Sequence, residues 1–165
     1  MQTEMEIKVA TIDDVADINA IAHKVWYAHY PSIITMQQID YMFDRMYSLP
    51  SLEEQLDKGH TFLVAAVNNV PCGYAAFYKL DDDSYFLDKL YVDTSLHRKN
   101  IGGFLLEEVI NMCEEMKILR LQVNRKNIKA VNFYFKNGFV IEEAKDFDIG
   151  SGYFMEDFVM IKKFE

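Results

Sequence analysis

Leu90-Tyr91-Val92-Asp93-Thr94-Ser95-Leu96-His97-Arg98-Lys99-Asn100-Ile101-Gly102-Gly103-Phe104-Leu105-Leu106 changes character twice within one short stretch. It opens as the end of the apolar run Tyr85–Val92, which reads as a strand. It passes through a polar loop carrying His97, Arg98 and Lys99, and it closes as the start of an apolar-periodic helix, Ile101–Met116. Strand, loop and helix N-terminus in succession make an anion site. The first turn of a helix has N–H groups without intrahelical partners, and the macrodipole adds partial positive charge there. Gly102 and Gly103 let a phosphate approach the backbone, and Arg98 and Lys99 add charge. Nucleotide, dinucleotide and CoA all satisfy this description. So does a loop that uses its glycines only for packing.

The flanking pattern narrows the choice. Met5–Ala10 alternates as a strand, and Thr11 with Asp14 forms a capping box ahead of Ile12, Val15, Ile18, Ile21, Ala22, Val25 and Trp26 at helical spacing. Pro31 falls at or just beyond the end of that helix. A second helix spans Thr35–Tyr47. Ser51 with Glu54 predicts the cap of a short third helix running to about Lys58, and Gly59 suits its C-terminal end. Thr61–Val67, Asn68-Asn69 and Val70–Leu80 read as a hairpin, with Asp81-Asp82-Asp83 as a solvated turn. Beyond Met116 come a strand at Ile118–Val123, a helix at Ile128–Lys136, a strand at Phe139–Glu143, a turn at Gly150-Ser151-Gly152 and a last strand at Tyr153–Lys162. The expected fold is α/β of the α+β kind: a mixed, mostly antiparallel central sheet of six to seven strands with helices on both faces. No linker or repeat interrupts residues 1–165, so one domain is expected. The dinucleotide fingerprint, GxGxxG near the start of a parallel fold, is missing its third glycine, and no Walker loop occurs.

Composition bounds the partners. The 165 residues are 50% hydrophobic and carry a formal net charge of −9. That acidity argues against nucleic acid and tolerates cationic substrates, although it also serves solubility. Cys72 and Cys113 have no motif spacing and read as buried free thiols. No metal site is expected, because three consecutive acids cannot all face one cation and no further ligand spacing follows. The N-terminus does not read as a targeting peptide and no apolar run reaches membrane-spanning length, so a cytoplasmic protein without a membrane partner is expected.

At this point a resemblance becomes specific. Leu90-Tyr-Val-(x4)-His-Arg-Lys-Asn-Ile-Gly-Gly-Phe-Leu-Leu106 resembles the acyl-CoA signature of the GNAT superfamily of N-acetyltransferases, whose loop reads Gln/Arg-x-x-Gly-x-Gly/Ala. Leu121-x-Val123-(x3)-Asn127-(x2)-Ala130-(x2)-Phe133-Tyr134-(x3)-Gly138-Phe139 resembles the later strand, helix and strand of the same family. His97 stands where that family has Gln or Arg. Asn100 stands at its first glycine, where an asparagine still tolerates a left-handed turn.

The resemblance implies an acetyltransferase with acetyl-CoA as cosubstrate and direct attack by the acceptor amine. It places pantetheine along Leu90, Tyr91 and Val92, and the pyrophosphate on the amides of Arg98, Lys99, Asn100, Ile101, Gly102 and Gly103. Asn127 would hydrogen-bond the pantetheine arm, and Tyr134 matches the family's frequent general acid. Asp88, alternating to the same face as Leu90 and Val92, is a candidate base, with a water chain as the alternative. His29 and the aromatics Trp26, Tyr27, Tyr30 and Tyr41 lie in a region that borders substrate in this family, although at helical spacing such aromatics are more often core. The acids of Asp146–Asp157 suit a cationic amine or a polar hairpin, and weakly resemble spermine/spermidine-type members. The expected acceptor is a small amine. A protein N-terminal or lysine acetyltransferase and a non-catalytic acyl-CoA sensor are the alternatives, and homodimers are common among similar proteins.

Overall fold

The computed structural model describes residues 4–95 and 100–165. Its strands are β1 (Met5–Val9), β2 (Thr61–Val67), β3 (Val70–Lys79), β4 (Ser84–Val92), β5 (Ile118–Asn124), β6 (Val140–Gly150) and β7 (Tyr153–Lys163). Its helices are α1 (Val15–His29), α2 (Met36–Tyr47), α3 (Leu49–Asp57), α4 (Ile101–Met112) and α5 (Ile128–Lys136). The strands form one seven-stranded sheet in the order β1-β2-β3-β4-β5-β7-β6. The β1–β2, β2–β3, β5–β7 and β6–β7 pairs are antiparallel, and β4–β5 is parallel. This is the mixed, mostly antiparallel sheet expected.

Two compact units divide the chain. The first is Met1–Tyr78 with Lys89–Cys113. Its core takes Ile18, Ala22 and Trp26 from α1, Ile39 from α2, Leu52 from α3, Phe62 and Leu63 from β2, and Leu105 and Leu106 from α4, all buried. The expected capping box is present: Thr11 accepts from Asp13, Asp14 reaches back to the Thr11 N–H at 2.9 Å, and a short 3-10 turn leads into α1. The β2–β3 hairpin turns on Asn68 and Asn69 at φ 51° and 66°. Both are in the left-handed region that a two-residue turn of this hand needs, which asparagine adopts at low cost.

The second unit is Lys79–Asp88 with Glu114–Glu165. Leu119 and Leu121 of β5, Phe139, and Val159, Met160 and Ile161 of β7 form its core. The β4–β5 ladder covers only Ser84–Leu87 against Ile118–Leu121. β5 continues to Asn124 in register with β7, where Asn124 faces Asp157.

Three local readings are corrected. Ser48, not Ser51, caps α3: its side chain accepts from the Ser51 N–H, and Pro50 lies in the first turn. Proline is suited to that position because its missing donor has no helical partner there. Glu54 instead pairs with Lys58 at 2.8 Å. The helix from Ile101 ends at Met112, with Glu115 at φ 57° in the turn before β5. β6 extends to Gly150, well past Glu143, because residues Val140–Gly150 pair along β7 with two register shifts. Ser48→Ala should lower stability by about 1 kcal/mol, read as a fall in the urea midpoint at unchanged slope.

Candidate active site

In the first unit, the site begins where β4 ends. Tyr91 is held by its hydroxyl, 3.0 Å from that of Tyr30, and its ring packs near Trp26 and Tyr74 with centroids 5.7 Å away in each case. Gly73 on β3 makes the close approach possible. A Cβ there would lie 3.1 Å from the Tyr91 carbonyl oxygen and 3.3 Å from Leu105 Cδ1. Asp93 then anchors the exit from β4. Its N–H donates to the Cys72 carbonyl at 2.8 Å. Its carboxylate accepts from Lys24 Nζ at 2.7 Å and from the Ser95 hydroxyl at 2.6 Å. Burial works against its charged form, yet these donors win and hold the carboxyl below its usual range.

Leu90, Tyr91 and Val92 are half-buried on this strand, and His97, Arg98 and Lys99 lie outside the described residues. Chain description resumes at Asn100, which adopts φ 66°, ψ 24° and precedes α4. The left-handed turn expected of an asparagine in the family's glycine position is therefore formed. The Asn100 side chain makes no capping bond, so among the described residues no side chain caps the first turn, Ile101, Gly102 and Gly103. It lies against Gly103 instead: a Cβ on Gly103 would come 2.3 Å from Asn100 Oδ1. A helix N-terminus that keeps its donors and accepts no side chain at Gly103 fits an anionic group such as the pyrophosphate of CoA.

Lys89 escapes sequence reading. It lies between Asp88 and Leu90, only 3% exposed, and donates to Gln55 Oε1 at 2.6 Å. Its ammonium sits 5.6 Å and 5.4 Å from the ring centroids of Tyr47 and Phe62. The aromatics of α1 and α2 divide. Trp26 and Tyr30 are core, while Tyr27 and Tyr41 are half-buried. Tyr27 donates to Asp40 at 2.5 Å and stacks on His23 with centroids 4.5 Å apart. Burial, then the Asp40 bond, push its phenol up to about 12. His29 packs edge-on to Tyr30, and His60 stacks on Tyr78.

In the second unit, Asn124 and Asn127 shape the exit from β5. Asn124 accepts from the Lys126 N–H at 2.9 Å, and Asn127, 7% exposed, caps α5 by accepting from Ala130 at 3.3 Å. Tyr134, 8% exposed, meets Phe133 and Phe139 edge-on at 5.3 Å and 5.4 Å. Asp88 is half-buried on β4.

The acids of the last hairpin are not in a loop but on two paired strands. Asp146 stands directly opposite Glu156, a like-charge pair that ordinarily destabilises a ladder. Arg125 offsets it by donating to Asp146 Oδ1 at 2.7 Å and to the carbonyls of Asp157 and Lys145 at 3.2 Å and 3.4 Å. No donor of Arg125 reaches the Asp157 carboxylate. That residue is 1% exposed, and its Oδ2 has no hydrogen-bond partner among the described residues. Burial pushes its carboxyl up to about 7; Arg125 pulls it down and Asp146 pushes it up. Among the described residues no cluster of ligating side chains suits a metal ion, and no helix is long and apolar enough to cross a membrane.

Comparison with known proteins identifies the family and the fold. The profile of the acetyltransferase (GNAT) family matches residues 20–139. A spermidine N(1)-acetyltransferase of Thermoplasma acidophilum is 28% identical over 168 residues, covering 98% of each chain. The PaiA N-acetyltransferase of Thermoplasma acidophilum, solved in complex with coenzyme A, superposes with a TM-score of 0.82 at 26% identity over 98% of this chain and 99% of that one. A GCN5-related N-acetyltransferase from Rhodopseudomonas palustris, 19% identical, shares the fold at a TM-score of 0.80 over 99% of each chain.

Asp157 yields a stability prediction. Its folded-state pKa lies above the unfolded one, so between them the folded state binds more protons, and stability falls as pH rises from about 4 to about 7. Asp157→Asn should remove that fall. Its stability relative to wild type should rise by up to about 4 kcal/mol between pH 4 and pH 8, measured by urea unfolding across that range. Parallel pH profiles for the two proteins would contradict it.

Proposed function

The chain belongs to the acetyltransferase (GNAT) family, and from that premise we propose that it transfers an acetyl group from acetyl-CoA to a primary amine of a small cationic molecule of the polyamine class. The observation that carries the acceptor class is the β6–β7 hairpin. Asp146, Asp148 and Glu156 line paired strands with Arg125 as the cation bound to Asp146. The net charge of −9 adds long-range attraction for a polycation. The relative named as a spermidine acetyltransferase supports the same class.

CoA supplies an activated thioester; the chain supplies position and proton handling. In this reading Leu90, Tyr91 and Val92 offer backbone groups to the pantetheine, as an added strand would be held. Asn100, Ile101, Gly102 and Gly103 present the first-turn amides of α4 to the pyrophosphate, and Arg98 and Lys99 bring charge from the adjoining sequence. Asn127 donates through Nδ2, which its capping bond does not use, to a pantetheine carbonyl.

Tyr134 gives a proton to the departing sulfur. A phenol has a reference pKa of about 10, so it carries that proton at neutral pH. The candidates for the base are Asp88, on the face of Leu90 and Val92 of the site strand, and a water chain.

Thiol release from acetyl-CoA with spermidine, spermine, free lysine and an amino-terminal peptide tests the reading. Spermidine should be turned over with a kcat/KM at least about tenfold above the peptide, a margin worth about 1.4 kcal/mol. Tight CoA binding without turnover of any amine would make the protein a sensor, and peptide preference would make it a protein acetyltransferase. Tyr134→Phe should lower kcat by about 10²- to 10⁴-fold while CoA affinity stays within about threefold.

A further inference from the structure

Asp157 is a buried ionisable group for which neither the fold nor the roles above provide a use. Leaving one oxygen of a buried carboxyl without a donor is costly, and native interiors rarely do so without a function. Packing alone does not need an acid here, since its neighbours on the same face of β7, Val159 and Ile161, are apolar. Its position is specific. It stands in register with Asn124, the last residue of β5, next to the turn that ends in the Asn127 cap of α5. Its other register partner is Lys145 on β6, whose ammonium lies over the Phe147 ring at 5.2 Å. The charged groups that act on it are Arg125, after β5, and Asp146, on β6. Arg125 donates to Asp146 and to two carbonyls, so its charge pulls the Asp157 carboxyl down without forming a hydrogen bond to it.

We propose that Asp157, through Oδ2, is the proton acceptor that converts the acceptor's ammonium into the attacking amine. The proposal rests on the acetyl-transfer reading above and assigns Asp157, in place of Asp88, as the base. The ammonium gives one proton to Asp157, leaving a neutral amine and a carboxylic acid. The amine lone pair forms the C–N bond at the thioester carbonyl as the C–S bond breaks. The sulfur leaves as a thiolate and takes the Tyr134 proton, and the second proton lost by nitrogen returns to the Tyr134 phenolate. Asp157 then releases its proton to solvent, so one ammonium and one thioester yield one amide, one thiol and one proton. A carboxyl pushed up to about 7 is matched to this task, being able both to take and to release a proton near neutrality.

The test is the pH dependence of kcat/KM with acetyl-CoA and spermidine, paired with the ¹³C carboxyl resonance of Asp157, assigned by its loss in Asp157→Asn. Wild type should show an acidic limb near pH 7, and the resonance should titrate there and shift when spermidine is added with CoA. Asp157→Asn should lose at least about 100-fold in kcat at neutral pH, lose that limb, and recover as pH rises and free amine accumulates. Its affinity for CoA should be unchanged. Asp157→Glu should restore part of the rate, and Asp88→Asn should keep the limb. Turnover with the limb intact in Asp157→Asn overturns the proposal and leaves the acetyl-transfer reading standing. A carboxyl that responds to spermidine in an enzyme that turns over no amine overturns the acetyl-transfer reading and the base role together, leaving only an amine site. A silent carboxyl with no turnover refutes both.

Discussion

The parallel ladder between β4 and β5 is four residue pairs long, Ser84–Leu87 against Ile118–Leu121. Parallel neighbours need a crossover, and α4 provides it. One consequence is local to each unit: α4 follows β4 in the chain, and α5 follows β5. A second consequence concerns the strand ends themselves. Past the ladder, each is organised by its other neighbours: β4 by Tyr30, Gln55 and the glycine gap at Gly73, β5 by its register with β7.

Buried charge is handled differently in the two units. Lys89 is buried with an amide oxygen and two aromatic faces around its ammonium, which replaces part of its lost hydration. Asp14 keeps its charge by bonding Lys8 and the Thr11 N–H. Among the described residues Asp157 receives no such compensation at Oδ2. Arg125 donates to Asp146 and to main-chain carbonyls, that of Asp157 included. The like-charge pair Asp146–Glu156 and the buried acid at Asp157 lie on neighbouring positions of one hairpin. That concentrates negative charge on this hairpin.

Most of the element order was legible because it is written in short-range patterns. The helical spacing of Val15, Ile18, Ala22 and Trp26, the Thr11–Asp14 box and the paired asparagines at the β2–β3 turn each act within a few residues. The α3 cap is ambiguous in sequence because Ser48 and Ser51 both precede a plausible helix, with Pro50 between them. β6 runs past Glu143 through a stretch that mixes exposed Lys145, Asp146 and Asp148 with half-buried Phe147 and Ile149, and only pairing with β7 makes it a strand.

The sequence by itself determined the fold and the family, through two motif blocks whose residues act on their own local backbone: Asn100 and the glycines at one helix N-terminus, Asn127 at another. Only the tertiary structure decided which charges are withdrawn from water. Lys89 and Asp157 look like ordinary strand residues beside Asp88 and Glu156. Their burial is set by partners such as Gln55, Phe62, Lys145 and Asn124, far away in the chain. Solvation depends on what packs around a side chain, and no local periodicity records that.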